Sequence, residues 1–292
     1  MKDIAVMPSA QDLTQLTFLD YYYRMAMLAQ SVFEWHGLPN GIDEKHIEKY
    51  LFNEGSCMFF EDPGLGWMVS KCLHSGDLNY YDDPTELYPV ATNYMETRSY
   101  SPGKDCVFIQ NNRYRIPTRR TTRLYAARIT EIQRTADINI IAQKTPVIVK
   151  GSEKQRLSLK SMLRSWFGNE PLIFGDKSLD TSEMKVLNTA APVVFDKLTI
   201  EKNKAWNEFM TAIGVNNANT DKRERQVVEE VLANDEQILL SGYTMLSTRE
   251  RAAEQISALC GQKVSVTVRT LSRGAVEPAA THKTLQPGGD PE

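Results

Sequence analysis

The chain has 292 residues, 41% hydrophobic and 24% charged, the proportions of a globular protein with one large or two small domains. Its net charge of −3 excludes a bulk basic footprint for nucleic acid, so any contact with phosphate has to come from local clusters. No run approaches the ~18 apolar residues of a membrane span, and the opening MKDIAVMPSAQDL lacks the apolar stretch of a secretory signal.

Residues up to Pro8 are expected to be loose. An aromatic-rich helix is predicted from Leu13 to Phe33, with Leu16, Leu19, Tyr23 and Met27 at packing positions, ended by Pro39-Asn40-Gly41. Asp43 can cap a second helix, Glu44 to Phe52, which Gly55 closes. Cys57 to Glu61 and Trp67 to Leu73 read as a hairpin turning at Asp62-Pro63-Gly64, and Tyr80 to Pro117 as short strands and loops.

Pro117-Thr118 opens the longest predicted helix, running to Gln143 with Tyr125, Ile129, Ile132, Ala136 and Ile140 as its apolar stripe. Strands are predicted at Val147 to Val149, Leu172 to Phe174 and Met184 to Val186, with a short helix from Leu157 to Phe167 between the first two. A second long helix follows Pro192, from Val193 to Ile213, with Leu198, Ala205, Phe209, Ala212 and Ile213 on its apolar face. A third is predicted from Ser247 to Leu259, capped by Ser247 or Thr248 and stopped by Gly261, followed by a strand at Lys263 to Arg269. The Pro- and Gly-rich tail from Ser272 is expected to be disordered.

No catalytic signature stands out. There is no GxxxxGK[ST], HExxH or GxSxG. The four cysteines (Cys57, Cys72, Cys106, Cys260) form no CxxC, so neither a disulfide framework nor a metal site is expected, and a reducing compartment fits. Asp82-Asp83 and Glu229-Glu230 read as solvated carboxylates. The charge-interleaved segment from Asn216 to Glu236 carries Lys222, Arg223 and Arg225 with Asp221 and Glu224 between them; it reads equally well as a solvated linker and helix.

Several runs change that balance: SVFEWHGLP (Ser31 to Pro39), EDPGLGW (Glu61 to Trp67), NIIAQKTPVIV (Asn139 to Val149), LSLK (Leu157 to Lys160), NEPLIFGDKSLD (Asn169 to Asp180), APVVFDKL (Ala191 to Leu198), KNKAWNEFMTAIG (Lys202 to Gly214), NNAN (Asn216 to Asn219), KRER (Lys222 to Arg225), NDEQ (Asn234 to Gln237) and STRERA (Ser247 to Ala252). In order and spacing they resemble the portal proteins (head–tail connectors, or upper collar proteins) of phi29-like podoviruses. The matches span Ser31 to Val268 and are weakest over Lys71 to Thr118.

The resemblance implies a mainly helical α+β portal fold: an N-terminal wing (1–117), a stem helix (118–145), a β-containing clip insert (146–190), a second stem helix (191–215), a channel loop (216–237), a wing or crown-side region (238–270) and a tail (271–292). It implies a non-enzymatic subunit of a ring, a homododecamer, through which double-stranded DNA is packaged and ejected at one capsid vertex. Its partners would be other copies of itself, that DNA, the major capsid and scaffolding proteins, the packaging ATPase and a lower collar or tail protein. It implies no cofactor, metal or membrane, and a place in the virion after assembly in the host cytoplasm. A lower collar or tail component is the alternative reading, and a non-ring nucleic-acid-binding protein a more distant one.

Lys222 and Arg223 match the family's basic channel positions, with Arg225 beside them, and Lys197 matches another. Asn188 stands where relatives can carry a further lysine. Arg113, Arg115, Arg119, Arg120, Arg123, Arg128 and Arg134 depart from the family pattern, with only Glu131 interspersed. Because they surround a packing stripe, Arg119, Arg120, Arg123 and Arg128 are candidates for subunit contacts, with nucleic-acid phosphates as the alternative partner; Trp206 is a candidate anchor, as are Trp35, Trp67 and Trp166. The absence of Lys and Arg between Lys2 and Arg24 means that binding of packaging RNA does not carry over from relatives with a basic N-terminal arm.

Overall fold

The structure, a computed structural model, describes residues 9–91, 94–95, 98–143, 147–149, 184–186, 192–216 and 228–269. The chain divides into two compact units, one from Met1–Ala26 and Arg119–Ile238, the other from Met27–Thr118 and Leu239–Glu292.

The second unit is built on a five-stranded antiparallel sheet. Its strands are β2 (Ser56–Asp62), β3 (Gly66–Leu78), β4 (Pro84–Ala91), β5 (Tyr94–Met95) and β6 (Cys106–Gln110), in the order β5-β4-β3-β2-β6. The β2–β3 hairpin forms where the Asp-Pro-Gly turn predicts it: the Asp62 carboxylate accepts the backbone N–H groups of Gly64 and Leu65, both at 2.8 Å. Met58, Phe60, Leu87, Tyr100 and Cys106 form a buried cluster on this sheet.

Helix α2 (Glu44–Glu54) is capped as its sequence indicates. Asp43 accepts from the N–H of Lys45 at 2.9 Å, and Gly55 ends the helix at φ 83° with its N–H on the Leu51 carbonyl. Glycine is required there twice over, because a methyl group would also overlap the backbone carbonyl of Arg115. Strand β1 (Phe33–His36) pairs antiparallel with the last strand, β9 (Ser265–Val268), in a separate two-stranded sheet.

Among its described residues, the first unit is helical apart from a small ladder. Helix α1 (Ala10–Gln30) begins there, α3 spans Thr118–Gln143, α4 spans Phe195–Ala212, and α5 (Val228–Cys260) ends in the second unit. Strands β7 (Val147–Val149) and β8 (Met184–Val186) pair antiparallel between α3 and α4. The predicted helix at 157–167 and strand at 172–174 lie outside the described residues, as do the first eight residues and the tail from residue 270.

Three expectations are corrected. Helix α1 ends at Gln30 rather than Phe33, because Phe33 and Trp35 alternate inward on β1 and are held by the ladder to β9. Along α1, Leu16, Tyr23 and Met27 are exposed while Met25 and Ala26 are buried; the helix is apolar on more than one side, so spacing alone did not choose the packed face. Finally, α5 starts at Val228 and passes through Ser247 and Thr248. Thr248 does not cap a new helix. Its hydroxyl bonds back to the Met245 carbonyl at 2.9 Å, which lets the helix run on.

Candidate functional site

Helices α3 and α4 pack together in the first unit. Tyr125 of α3 packs against Phe209 of α4, ring centroids 6.0 Å apart, and Trp206 lies against the same Phe209 at 6.5 Å. Arg128 reaches Glu208 at 3.3 Å, Lys202 reaches Gln133 at 3.2 Å, and the Asn139 amide donates to the Pro192 carbonyl at 2.9 Å. Residue numbers rise along α3 as their partners fall along α4, so the two helices are antiparallel. Ile129, Ala136, Ala205, Phe209 and Ile213 of the stripes read from the sequence are buried, while Ile140 and Ala212 are exposed.

This packing decides where the candidate residues stand. Arg119, Arg120, Arg123 and Arg128 are all exposed on α3. Arg128 is partly engaged within the chain, by Glu208 and by the Tyr125 ring 5.7 Å from its guanidinium. Glu208, although four residues beyond Lys204 on the same helix, pairs across to α3. Such exposed pairs contribute only ~0.2–1 kcal/mol, so they orient side chains more than they stabilise. Lys197 is exposed near the start of α4, and Trp206 is half-buried. Lys222, Arg223, Arg225, Asn188 and Trp166 lie outside the described residues, while the stretch from Val228 to Gln237, read as part of a channel loop, is helical.

Arg134 differs from the other arginines. It is largely buried, bonds Asp137 at 2.7 Å through Nη1, and leaves its Nε without a partner.

Trp35 is no surface anchor. It is buried, and its indole N–H donates to Glu48 Oε1 at 2.9 Å. That carboxylate belongs to a polar centre that sequence reasoning missed. Arg249 of α5 grips both Glu48 oxygens, at 2.9 and 2.8 Å, with each side chain 2% exposed. The same guanidinium donates to the carbonyls of Asn111 and Met245 and to the Asn111 side chain, and lies 4.1 Å from the centre of the Phe33 ring. Asn111 in turn donates to the Ile116 carbonyl and to Thr118 at the start of α3. A signal was available: Arg249 falls at helical spacing among Met245, Ala252, Ala253 and Ile256, a charge inside an apolar stripe. Trp67 stacks on Phe59 at 5.1 Å and is half-buried.

No nucleophile emerges from the buried thiols. Burial pushes Cys57 well up and Cys72 and Cys106 up to about 12, which keeps them protonated and unreactive near neutral pH. Among the described residues, no group of three His, Cys, Asp or Glu side chains could hold a metal. No described helix is long and apolar enough to cross a membrane.

The fold is that of phage portal proteins. A chain of the portal and tail of native bacteriophage P68 superposes with a TM-score of 0.50 at 14% identity, covering 90% of each chain. An HK97-family portal protein from Corynebacterium diphtheriae gives 0.45 at 11% identity, over 90% of this chain and 95% of the other. A profile of the phage connector family (Phage Connector, GP10) matches residues 9–271. The chain therefore belongs to the phage connector family and is a head–tail portal protein of mixed helix and sheet.

Proposed function

We propose that copies of this chain close into a ring, a dodecamer, whose central channel passes double-stranded DNA during packaging and ejection. The family match over residues 9–271 carries this reading. A closed ring needs two different faces per subunit that meet head to tail. Helices α3 and α4 would form the stem, the β7–β8 segment the clip, and residues 1–117 the wing. The exposed arginines of α3, with half-buried Trp206 on α4, would take part in contacts between copies.

Lys197, Lys222, Arg223 and Arg225 would face the channel. A chain with a net charge of −3 suits a conduit, since phosphate contacts add affinity and a strongly basic lumen would brake the DNA. The ring would stand at one capsid vertex of the virion after assembling in the host cytoplasm with capsid and scaffolding proteins. It would dock the packaging ATPase and later the tail. The chain itself would do no chemistry: work comes from the ATPase, while basic loops touch phosphates transiently and retard back-slip.

Native mass spectrometry of the purified protein, with class averages of stained particles, tests the ring. The expected result is a closed ring near twelve subunits with a central hole. A protein that stays monomeric across salt and concentration overturns the reading.

A further inference from the structure

The β3–β4 hairpin extends beyond its pairing with β2, with His74 still against Phe108 of β6 at 5.3 Å. Strand β3 pairs with β2 only through Ser70, and from Lys71 to Leu78 it pairs with β4 alone. Its tip is locked by its own hydrogen bonds. The Asn79 side chain accepts from the N–H groups of Tyr81 (2.8 Å) and Asp83 (3.0 Å), and Thr85 donates to the Asp77 carbonyl (2.6 Å). Backbone bonds join Asn79 to Asp83 and Asp82 to Asn79, with Asp82 held at φ 59°.

This fixed loop presents Tyr80 and Tyr81 at 105% and 85% exposure. Two tyrosines held outward on a pre-ordered loop have the chemistry of interface anchors, because little conformational freedom remains to be lost on binding. The tip's own carboxylates suit a cationic partner, while Lys104 and Arg251 line the cleft beside Asn79 and Asp83. Asp77, Asp82 and Asp83 lie within the tip, and no Lys or Arg occurs between Lys71 and Arg98. None of the described ion pairs engages these three carboxylates; Arg115 reaches only the Asp82 carbonyl, at 3.5 Å.

The complementary surface is in the same sequence. Arg119, Arg120 and Arg123 are exposed on the first turns of α3, and none takes part in a described ion pair. Guanidinium groups suit both halves of the tip, forking onto carboxylates and stacking on tyrosine faces, as Arg98 already does over Tyr100 at 5.1 Å. We infer that the Tyr80–Tyr81 tip of one copy docks on the Arg119–Arg123 face of a second copy, forming one contact of the ring. This rests on the ring reading above and supplies the partner of the arginine face.

Charge reversal with rescue tests it, read as the concentration at half-assembly. The double variant Asp77→Lys with Asp83→Lys, and separately Arg120→Glu with Arg123→Glu, should each raise that concentration by about tenfold or more. The combined four-fold variant should recover most of the loss, with circular dichroism unchanged throughout. A photo-crosslinker at position 80 of the otherwise unaltered chain should join a second copy within residues 119–134.

Acid-reversed protein that assembles like wild type, or crosslinks landing elsewhere, would overturn the docking inference while leaving the ring in place. Wild-type protein that never assembles would instead overturn the ring reading, and the docking inference with it.

Discussion

At the residue scale, the Glu48–Arg249 pair is the feature with the largest energetic leverage. Two ions taken out of water contribute little net stability by themselves, but removing one leaves the other buried and uncompensated. Trp35, Asn111, Met245 and Phe33 all contact the pair, so its geometry fixes parts of β1, α2, α5 and the segment leading to α3. We expect Arg249→Met to destabilise the fold by about 3–5 kcal/mol in urea unfolding. Glu48→Leu combined with Arg249→Met should cost less than Arg249→Met alone, since no bare carboxylate remains. A double variant as unstable as the sum of the two single ones would show that the residues do not act as a pair.

At the element scale, helix limits follow capping and backbone chemistry wherever that chemistry is local. Asp43 and Gly55 bound α2 where the sequence indicates, and Pro117-Thr118 opens α3 at its predicted start. Gly55 and Gly41 both sit at positive φ, 83° and 91°, but only Gly55 lies against another backbone segment. Gly55→Ala should therefore cost about 2 kcal/mol or more, and Gly41→Ala nearer 1 kcal/mol, the left-handed penalty alone. Equal unfolding midpoints for the two variants would remove the argument from close approach. The end of α1, misjudged from sequence, is set by a distant partner, because β9 captures Phe33–His36.

At the scale of the whole molecule, the proposed function assigns channel contacts and assembly to separate groups of residues, so mutation should separate them. Lys222→Ala with Arg223→Ala should leave the native mass of the ring unchanged and lower the retention of packaged DNA, measured as genome content of purified virions against time. Unchanged retention in particles carrying both substitutions would remove these residues from a valve role. An effect that shrinks as salt rises is expected, because the contact is with phosphate and its strength falls with counterion concentration.

The sequence by itself determined what depends on neighbours along the chain: the caps of α2, the Asp-Pro-Gly hairpin, the stripes that pair α3 with α4, and a collinear set of runs extensive enough to indicate the family. These are short-range choices, made by backbone sterics and helical periodicity. Tertiary structure decided everything that required a partner distant in sequence. It buried Trp35 on Glu48, paired Glu208 with Arg128, left Leu16 and Tyr23 of α1 exposed, and held Tyr80 and Tyr81 outward on a bonded loop. Periodicity shows that a helix has an apolar side; only packing chooses which of two such sides is covered, and only packing brings Arg249 to a carboxylate some two hundred residues away.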